Sequence, residues 1–335
     1  MKVIIQMPCL NEEDSLPVSV GALPRVLEGV DEVEWLIIND GSRDGTVEAA
    51  KALGVDYIIS HIRNLGLAQA FLSGMNAAVA FGADIIVNTD ADNQYNAEDI
   101  QKLIDPILAG EAEYVIGTRP VDEVEHWSPV KKSLQHFGSW VVRQASHTDV
   151  EDAPSGFRAI TRFAAMRLHV FNEYTYTLET VIQAGRMKIP TLSIPIRTNG
   201  YLRESRLMKS MRSYVQRSLM TIIRSYMTYE PLKFFLIPGA AFFLTAAALG
   251  VRYLVFYFAG EGAGHIQSLL LAIMLAVIGA ATFIIGFLAD LIRVNRQLLE
   301  HLDFRTQQLQ LDMKQQINGK QPIYNHAYLV YKKKA

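Results

Sequence analysis

The sequence predicts an α/β fold with a mostly parallel sheet, followed by a hairpin of two membrane-spanning helices. Over the first two-thirds of the 335-residue chain, short apolar runs ending in polar loops alternate with helical stretches. This alternation is typical of right-handed βαβ units. The last third instead contains two long windows without a charged residue, Phe234–Val251 and Ile266–Ala289. The change of pattern indicates about two domains, as the length allows.

The composition argues against several classes of function. The formal net charge is −2 at pH 7, so no overall basic field favours nucleic acid as a partner. The single cysteine, Cys9, excludes an intramolecular disulfide and a thiolate metal cluster, in keeping with a reducing compartment. The apolar run that begins after Lys2 is too short for a signal peptide. We therefore expect the first two-thirds of the chain on the cytoplasmic side.

Four strands are predicted in the amino-terminal part of the chain. They are Lys2–Met7, Glu34–Asn39, Tyr57–Ser60 and Ile85–Val87. Asp14 or Ser15 is the predicted cap of the helix after the first strand, and the helix after the third runs to about Phe81. Because open α/β sheets bind ligands beyond the carboxyl ends of their strands, the loops after these strands are the candidate site.

The loop after the fourth strand carries the clearest chemical pattern. Asp90, Asp92 and Gln94 are alternate residues whose side chains can all point into the crevice beyond the strand. Two carboxylates and an amide oxygen form a hard oxygen site suited to Mg²⁺ or Mn²⁺. A solvated Asp/Asn loop is the alternative. No Walker lysine loop or G-x-G-x-x-G follows the first strand, which argues against P-loop enzymes and dinucleotide oxidoreductases.

Taken together, the loop motifs resemble those of the inverting family-two glycosyltransferases of GT-A fold. These motifs are Pro8-Cys-Leu-Asn-Glu12, Asp40-Gly-Ser-Arg-Asp-Gly-Thr46, Arg63-Asn-Leu-Gly-Leu-Ala68 and Asp90-Ala-Asp-x-Gln94. Three later segments resemble the branch of dolichol-phosphate-mannose synthases and polyprenyl-phosphate glycosyltransferases. They are Gly117-Thr-Arg119, Asp152-Ala-Pro-Ser-Gly-Phe-Arg158 and Tyr-Thr-Leu-Glu179. The resemblance covers about residues 1 to 300.

The resemblance implies a role for each of these loops. Asp92 and Gln94 would hold the metal ion, Mg²⁺ or Mn²⁺, while Asp90 would reach the nucleotide or the sugar. The implied donor contacts of the first two loops are Pro8, Asn11, Glu12 and Asp40, with Glu12 and Asp40 on the base and ribose side. Sugar transfer also requires the leaving diphosphate to be neutralised. Arg119, with Arg203 or Arg206, would supply that charge, although an ordinary surface ion pair is the alternative for each arginine.

The sequence departs from the family pattern at three places. Asn39 stands where the usual Asp-Asp-Gly-Ser has its first acidic residue, so Asp40 would carry the nucleotide contact alone. The Gln-x-x-Arg-Trp motif of processive synthases is missing, which favours a single transfer over polymerisation. The usual basic Arg-x-x-Gly-x-Ser-Lys is shortened to Arg203-Glu-Ser-Arg206, which leaves open the arginine that meets the diphosphate.

The implied acceptor is a polyprenyl phosphate, which is already anionic near pH 7 and needs no strong general base. Asp152 therefore remains either a base, a positioner of donor hydroxyls, or a simple cap or turn residue. Lys131 and Lys132 follow Arg119 in an irregular segment and are candidates for contact with the lipid headgroup. Trp127 would then lie at the membrane interface, and a solvated lysine pair is the alternative.

The two charge-free windows predict a transmembrane hairpin, because a bilayer core needs roughly 20 helical residues. Buried helices of a soluble protein are the alternative, and Arg252 can snorkel from a helix end. The connecting loop, Glu261–His265, has no Lys or Arg, whereas both flanks are basic, so both ends are expected in the cytoplasm. Upstream, Leu202–Tyr229 mixes basic and apolar residues like a helix that lies on anionic bilayers.

These patterns divide the chain into a catalytic domain over 1–202, interfacial helices over 203–231, the hairpin over 232–289, and a cytoplasmic helix and tail over 290–335. The returning helix would pack on the catalytic domain or on a neighbouring copy, so a homo-oligomer is left open. The tail from Gln321 predicts no element. The predicted function is transfer of one sugar from a UDP- or GDP-sugar to a polyprenyl phosphate. The rivals are a glycolipid or growing glycan as acceptor, and a scaffold that only binds nucleotide sugars.

Overall fold

The computed structural model describes residues 1–120, 138–144, 146–170, 176–199, 216, 219–220, 223–224, 226–316 and 328–333. Two compact units make up the chain. The first, here called the sheet unit, contains Met1–Ile222 and Thr306–Ala335, and the second, the helix unit, contains Ile223–Arg305. The bounds of the four predicted segments remain predictions.

One eight-stranded sheet organises the sheet unit, in the order β7-β5-β6-β4-β1-β2-β3-β8. The strands are β1 Lys2–Cys9, β2 Glu32–Asn39, β3 Tyr57–His61, β4 Ile85–Asn88, β5 Tyr114–Thr118, β6 Arg158–Thr161, β7 Thr191–Pro195 and β8 Tyr328–Lys332. Parallel pairs join β1 to β2 and β4, β2 to β3, and β5 to β7. Antiparallel β6 lies between β4 and β5. The predicted mostly parallel sheet is confirmed.

Helices connect the strands of this sheet. They are α1 Leu16–Gly21, α2 Thr46–Ala52, α3 Leu67–Ala80, α4 Ile100–Leu108, α5 Arg162–Arg167 and α6 Thr177–Arg186. Close packing of α3 depends on Gly74, where a Cβ atom would lie 2.7 Å from the Ile38 side chain. Ser15 occupies the predicted cap position of α1 but makes no side-chain capping bond. Its hydroxyl instead donates to Glu12 Oε2 at 2.5 Å.

The central strands are apolar because both of their faces are covered. Val3, Ile4 and Ile5 of β1 and the whole of β4 are buried, as expected for strands of a parallel sheet with helices on both faces. The polar residues appear where the strands end. The sheet therefore supplies a rigid base that presents the loops after β1, β2, β3 and β4 at one edge.

The carboxyl-terminal tail adds a strand that the sequence did not predict. Strand β8 pairs antiparallel with β3, with Tyr331 opposite Ile58. Side-chain contacts accompany the pairing: Lys51 Nζ lies 5.5 Å from the centroid of the Tyr331 ring, and Lys332 Nζ lies 5.6 Å from that of Tyr57. The edge of β3 is thereby covered, which protects its free backbone groups from pairing with another chain.

Two long apolar helices, α7 Pro231–Phe258 and α8 Ile266–Gln316, are joined through a short 3₁₀ turn. The helix unit contains all of α7 and the part of α8 up to Arg305. Pro231–Phe258 and Gly262–Gln310 are long and apolar enough to cross a membrane. Glycines bring these two helices together. A Cβ atom at Gly279 would lie 2.8 Å from the Phe243 ring, and one at Gly239 would lie 3.4 Å from the Phe283 ring. Small residues of this kind allow close approach of membrane helices.

Several predicted residues lie outside the part of the chain that the structure describes. They are Trp127, Lys131, Lys132, Arg203 and Arg206. Most of the amphipathic segment Leu202–Tyr229 lies outside it as well. The roles of these residues, and the packing of the returning helix on a neighbouring copy, stay predictions.

Candidate active site

The loop after β4 places Asp90, Asp92 and Gln94 at the carboxyl edge of the sheet, all partly exposed. Asp92 Oδ1 accepts the Gln94 backbone N–H at 3.1 Å. Asn93, between them, has a φ of 55°, a left-handed conformation in which asparagine is enriched. From outside the turn, Asn199 Nδ2 donates to the Asn93 carbonyl at 3.0 Å. The loop is therefore a turn that these hydrogen bonds hold in place.

The electrostatics of this loop favour a bound cation. Burial raises the pKa of Asp90 to about 7, and the negative charge of Asp92 adds to the rise, while Arg119 and Arg158 oppose it. Two carboxylates this close cannot both ionise easily unless a positive charge offsets their repulsion. Two fixed arginines nearby supply part of that charge, and a metal ion would supply the rest.

Arg119 and Asp152 form a bidentate ion pair beside this loop. Arg119 follows β5, and its Nε and Nη2 donate to the two Asp152 carboxylate oxygens at 2.7 and 3.0 Å. The Arg119 backbone N–H donates to the same carboxylate at 3.2 Å. Asp152 is only 1% exposed. Bidentate pairing fixes direction as well as distance, so the Arg119 guanidinium is held in one plane.

A cavity of about 470 Å³ lies between the loops that follow β1, β2 and β3. Its lining includes Asn11, Asn39, Ser42, His61 and Arg63. Asn11 joins the first two loops, because its backbone N–H donates to Ser42 Oγ at 2.9 Å and its side-chain oxygen accepts the Arg43 N–H at 2.8 Å. The structure thus places Asn11, a predicted donor contact, in the wall of a cavity that it also shapes.

Asp40 is buried and holds the loop after β3. Its Oδ1 accepts the Leu65 N–H at 2.8 Å and lies 2.7 Å from His61 Nδ1, while Oδ2 accepts the Gly66 N–H at 2.9 Å. Burial would raise the pKa of Asp40, but these hydrogen bonds outweigh it and lower the pKa. His61 Nε2 in turn lies 3.0 Å from Ser73 Oγ. The predicted contact of Asp40 with the nucleotide stays a prediction.

Pro8 and Glu12 have structural partners near the same loops. Pro8 is a buried residue of β1 and lies opposite Ile38 of β2. Glu12 is 6% exposed, and its backbone N–H donates to Thr46 Oγ1 at 2.9 Å. These contacts join the first loop to the start of α2. Donor contacts of Pro8 and Glu12 remain predictions.

Arg158 ends the Asp152–Arg158 motif, and the sequence indicates no role for it. The structure buries it fully. Its Nε donates to the Ser155 carbonyl at 2.7 Å, and its Nη2 to the carbonyls of Ala153 at 2.6 Å and Thr177 at 3.1 Å. Arg158 thereby holds the segment that carries Asp152. An arginine at the start of the buried strand β6 was the available signal, because burying a charge is costly unless many hydrogen bonds surround it.

The residues at the loop after β4 fit a divalent ion that is shared with a ligand. In the described ranges, no cluster of three or more His, Cys, Asp or Glu side chains could hold a metal ion. The donor set is instead carboxylates with an amide oxygen, which are ligands of Mg²⁺ and Mn²⁺. Such ions are often held by one or two carboxylates, with waters and substrate phosphates in the other positions.

The comparisons with known proteins agree with this architecture. Residues 4–175, about half of the chain, match the family model described as glycosyl transferase family 2. The chain belongs to glycosyl transferase family 2. The predicted family and the predicted enzyme class are therefore confirmed, and the scaffold alternative is set aside.

Relatives of this family member include two polyprenyl-phosphate sugar transferases. The UDP-N-acetylglucosamine–dolichyl-phosphate N-acetylglucosaminyltransferase of Methanococcus voltae is 30% identical over 220 residues, covering 58% of this chain and 85% of the relative. The undecaprenyl-phosphate mannosyltransferase of Micrococcus luteus is 28% identical over 206 residues, covering 58% and 83%. The relatives extend the likeness beyond the fold to a branch of the family.

Solved structures confirm the predicted GT-A fold. Glucosyl-3-phosphoglycerate synthase from Mycobacterium tuberculosis, in complex with phosphoglyceric acid, has a TM-score of 0.53 at 17% identity, covering 67% of this chain and 79% of that one. The same enzyme with Mn²⁺, UDP-glucose and phosphoglyceric acid has a TM-score of 0.50 at 18% identity, covering 66% and 79%. At this identity the likeness concerns the fold.

Proposed function

We propose that this family 2 enzyme transfers a single sugar, with inversion, from a UDP- or GDP-sugar to a polyprenyl phosphate at the cytoplasmic face of a membrane. One observation carries the proposal: the Asp90–Gln94 loop and the Arg119–Asp152 pair meet at the sheet edge that also holds the cavity after β1, β2 and β3. The two relatives named above for transfer to a polyprenyl phosphate match over more than four-fifths of their own length.

The proposed chemistry is neutralisation of the leaving diphosphate. Asp92 and Gln94 would hold Mg²⁺ or Mn²⁺, with Asp90 toward the nucleotide or the sugar. The ion would supply Lewis-acid stabilisation of the charge that develops on the phosphate. A structural neighbour binds Mn²⁺ together with UDP-glucose, which supports a divalent ion here. Arg119 adds a positive charge, and its pairing with Asp152 already fixes the position of the guanidinium.

Asp152 acts in this proposal as the group that orients Arg119. Its carboxylate accepts three hydrogen bonds from that one residue, so a role as proton acceptor would require the pair to open. A polyprenyl phosphate is anionic near neutral pH and needs no strong base. Orienting Arg119, a role that the sequence did not suggest, therefore suits this acceptor better than a role as base.

Membrane attachment would bring the site to a lipid acceptor. The two apolar helices would span the bilayer as a hairpin, and both termini would be cytoplasmic because Lys and Arg are missing from the connecting loop Glu261–His265. Lys131 and Lys132 remain the proposed contacts of the lipid headgroup. Arg203 and Arg206 remain the proposed additional contacts of the diphosphate.

A donor and acceptor screen tests the proposal. The full chain would be assayed with UDP- and GDP-sugars against undecaprenyl phosphate, dolichyl phosphate and the matching lipid alcohols, and glycolipids would be included as rival acceptors. We expect transfer only to the phosphates, with loss of activity in EDTA and recovery on addition of Mg²⁺ or Mn²⁺. Equal use of a lipid alcohol would contradict the acceptor class, and full activity in EDTA would contradict the metal.

Asp92→Asn is the matched test of the metal ligand. Because the ion contributes several kcal/mol of charge stabilisation, we expect turnover to fall about a hundredfold or more. Asp105→Asn is the control, since Asp105 is an exposed carboxylate on α4 and its loss should leave turnover unchanged. Similar rates for Asp92→Asn and wild type would remove Asp92 from the metal site.

A further inference from the structure

Tyr95 connects the Asp90 carboxylate to the backbone of a distant loop. Its ring is 3% exposed, and its hydroxyl accepts the Gly156 N–H at 2.9 Å. The Asp90 carboxylate lies against the same glycine and forms a side-chain hydrogen bond with Tyr95. One hydroxyl thus joins two parts of the chain that are far apart in sequence.

The close approach of Asp90 to Gly156 leaves no room for a side chain at Gly156. A Cβ atom there would lie 2.8 and 3.0 Å from the two Asp90 carboxylate oxygens. The Gly156 carbonyl is fixed from the other side, because Asn88 Nδ2 donates to it at 2.7 Å. The carboxylate therefore lies directly against a peptide unit that is itself held in place.

The Tyr95 ring is fixed as firmly as its hydroxyl. It stacks on the ring of Phe157, with centroids 5.1 Å apart and an angle of 8° between the planes. Phe157 follows Gly156, so the ring and the hydroxyl of Tyr95 contact two successive residues of one segment. That segment also carries Asp152, which holds Arg119. Asp90 and Arg119 are therefore oriented by the same stretch of chain.

Resting on the proposed function, we propose that Tyr95 is a positioning residue that holds the Asp90 carboxylate against the Gly156 backbone in the orientation that receives the nucleotide-sugar donor. A phenylalanine would preserve the stacked ring. It would leave Asp90 without its hydrogen bond from Tyr95 and would leave the Gly156 N–H without a hydrogen-bond acceptor. Buried polar groups that lose such a partner destabilise the structure around them. The Asp90 carboxylate would then be free to rotate away from the nucleotide-sugar donor.

Tyr95→Phe in the full chain is the direct test, and Tyr57→Phe is its matched control. Tyr57 is also a buried tyrosine that donates to a carboxylate, Glu34, at 3.2 Å, but it lies in β3 away from the metal loop. We expect Tyr95→Phe to raise the donor KM and to weaken Mn²⁺-dependent binding of UDP or GDP by about tenfold. The acceptor KM and the unfolding temperature should stay near wild type, and Tyr57→Phe should change none of these.

Gly156→Ala provides a second, independent variant, because its methyl group would displace Asp90 while the Tyr95 hydroxyl is retained. Its control is Gly21→Ala, since nothing lies within 4 Å of a Cβ atom at Gly21. The same donor-selective loss in Tyr95→Phe and Gly156→Ala would support the positioning role. Unchanged donor KM and nucleotide binding in Tyr95→Phe would overturn it. Equal losses for donor and acceptor, with a lower unfolding temperature, would also overturn it by showing a structural role.

Failure of the proposed function has a different signature. Wild-type protein would then turn over no combination of nucleotide sugar and polyprenyl phosphate. Direct titration with UDP or GDP and Mn²⁺ would still compare Tyr95→Phe with wild type, because it requires no acceptor. A binding difference between those two proteins would keep the positioning role even if the acceptor were wrong.

Discussion

The two units of this chain place the same kinds of apolar residue in opposite surroundings. In the sheet unit, Ile4, Ile86 and Val87 are 0% exposed. In the helix unit, Phe258 is 82% exposed and only 11% of the apolar window of α7 is buried. The first unit hides apolar surface from water inside its own core, whereas the second presents it outward, as a membrane-spanning segment does.

Charged groups are also placed differently in the two units. The sheet unit buries Asp152 and Arg158 near its candidate site, and each is surrounded by hydrogen bonds. The ion pairs of the helix unit, such as Arg293–Asp290 and Arg296–Glu300, lie outside its charge-free windows. The difference teaches that the sheet unit stabilises buried charges with hydrogen bonds, whereas the helix unit keeps charges out of its long apolar windows.

The largest expected contrast comes from truncating one aliphatic residue in each unit. Ile86→Ala should lower the free energy of unfolding of the sheet unit by about 2–5 kcal/mol, because it leaves a cavity in the core. Leu288→Ala, at a residue 55% exposed, should cost less than about 1 kcal/mol in detergent. All three tryptophans lie outside Ile223–Arg305, so their fluorescence follows the sheet unit and helical circular dichroism follows the helices.

A larger loss of stability in Leu288→Ala than in Ile86→Ala would contradict this contrast between the two units. It would mean that the exposed face of α8 is covered by protein rather than by detergent or lipid. Urea titrations of the full chain in the same detergent would distinguish these outcomes.

A smaller effect is expected from the glycines of the helix unit. Gly279→Leu should destabilise the packing of α7 on α8 by about 1–3 kcal/mol, because even its Cβ atom would lie 2.8 Å from the Phe243 ring. Gly250→Leu is the control, since a Cβ atom at Gly250 meets nothing within 4 Å. Thermal melting of the helical signal should separate the two variants. Equal melting would show that the two helices are not held by this contact.

The sequence predicted those features that depend on local pattern and on sheet topology. The apolar runs of β1 to β4 were located, and Asp90, Asp92 and Gln94 were expected at one edge because parallel strands end together. The pairing of Arg119 with Asp152 was missed because it joins residues 33 positions apart, and the contact of Arg158 with Ala153, next to Asp152, exists only in the folded unit. Strand β8 was missed because its partner, the free edge of β3, exists only in the folded unit.

The smallest predicted effect is a pH dependence confined to the sheet unit, and it arises at Asp99. This carboxylate is 0% exposed, although its partners Arg197 and Lys102 are about half exposed. Burial would raise the pKa of Asp99, but hydrogen bonds from Arg197 and Lys102 outweigh it and lower the pKa from 3.8 to about 2. The pair matters for the site because the Arg197 carbonyl accepts the Asn96 N–H at 3.2 Å, close to the metal loop.

A carboxylate with a lower pKa in the folded state stabilises the fold above its ordinary pKa. That contribution is complete above about pH 4 and disappears as the pH falls toward 2. Because the cations are partly solvated, we expect about 1 kcal/mol rather than the full linkage value. Between pH 5 and about 2.5, wild type should therefore lose about 1 kcal/mol more than Asp99→Asn, as measured by urea unfolding with tryptophan fluorescence. Parallel pH profiles of stability for the two proteins would show that Arg197 and Lys102 do not stabilise the Asp99 carboxylate. The described residues of the helix unit include no such buried carboxylate. The helical circular dichroism signal should therefore be insensitive to the substitution.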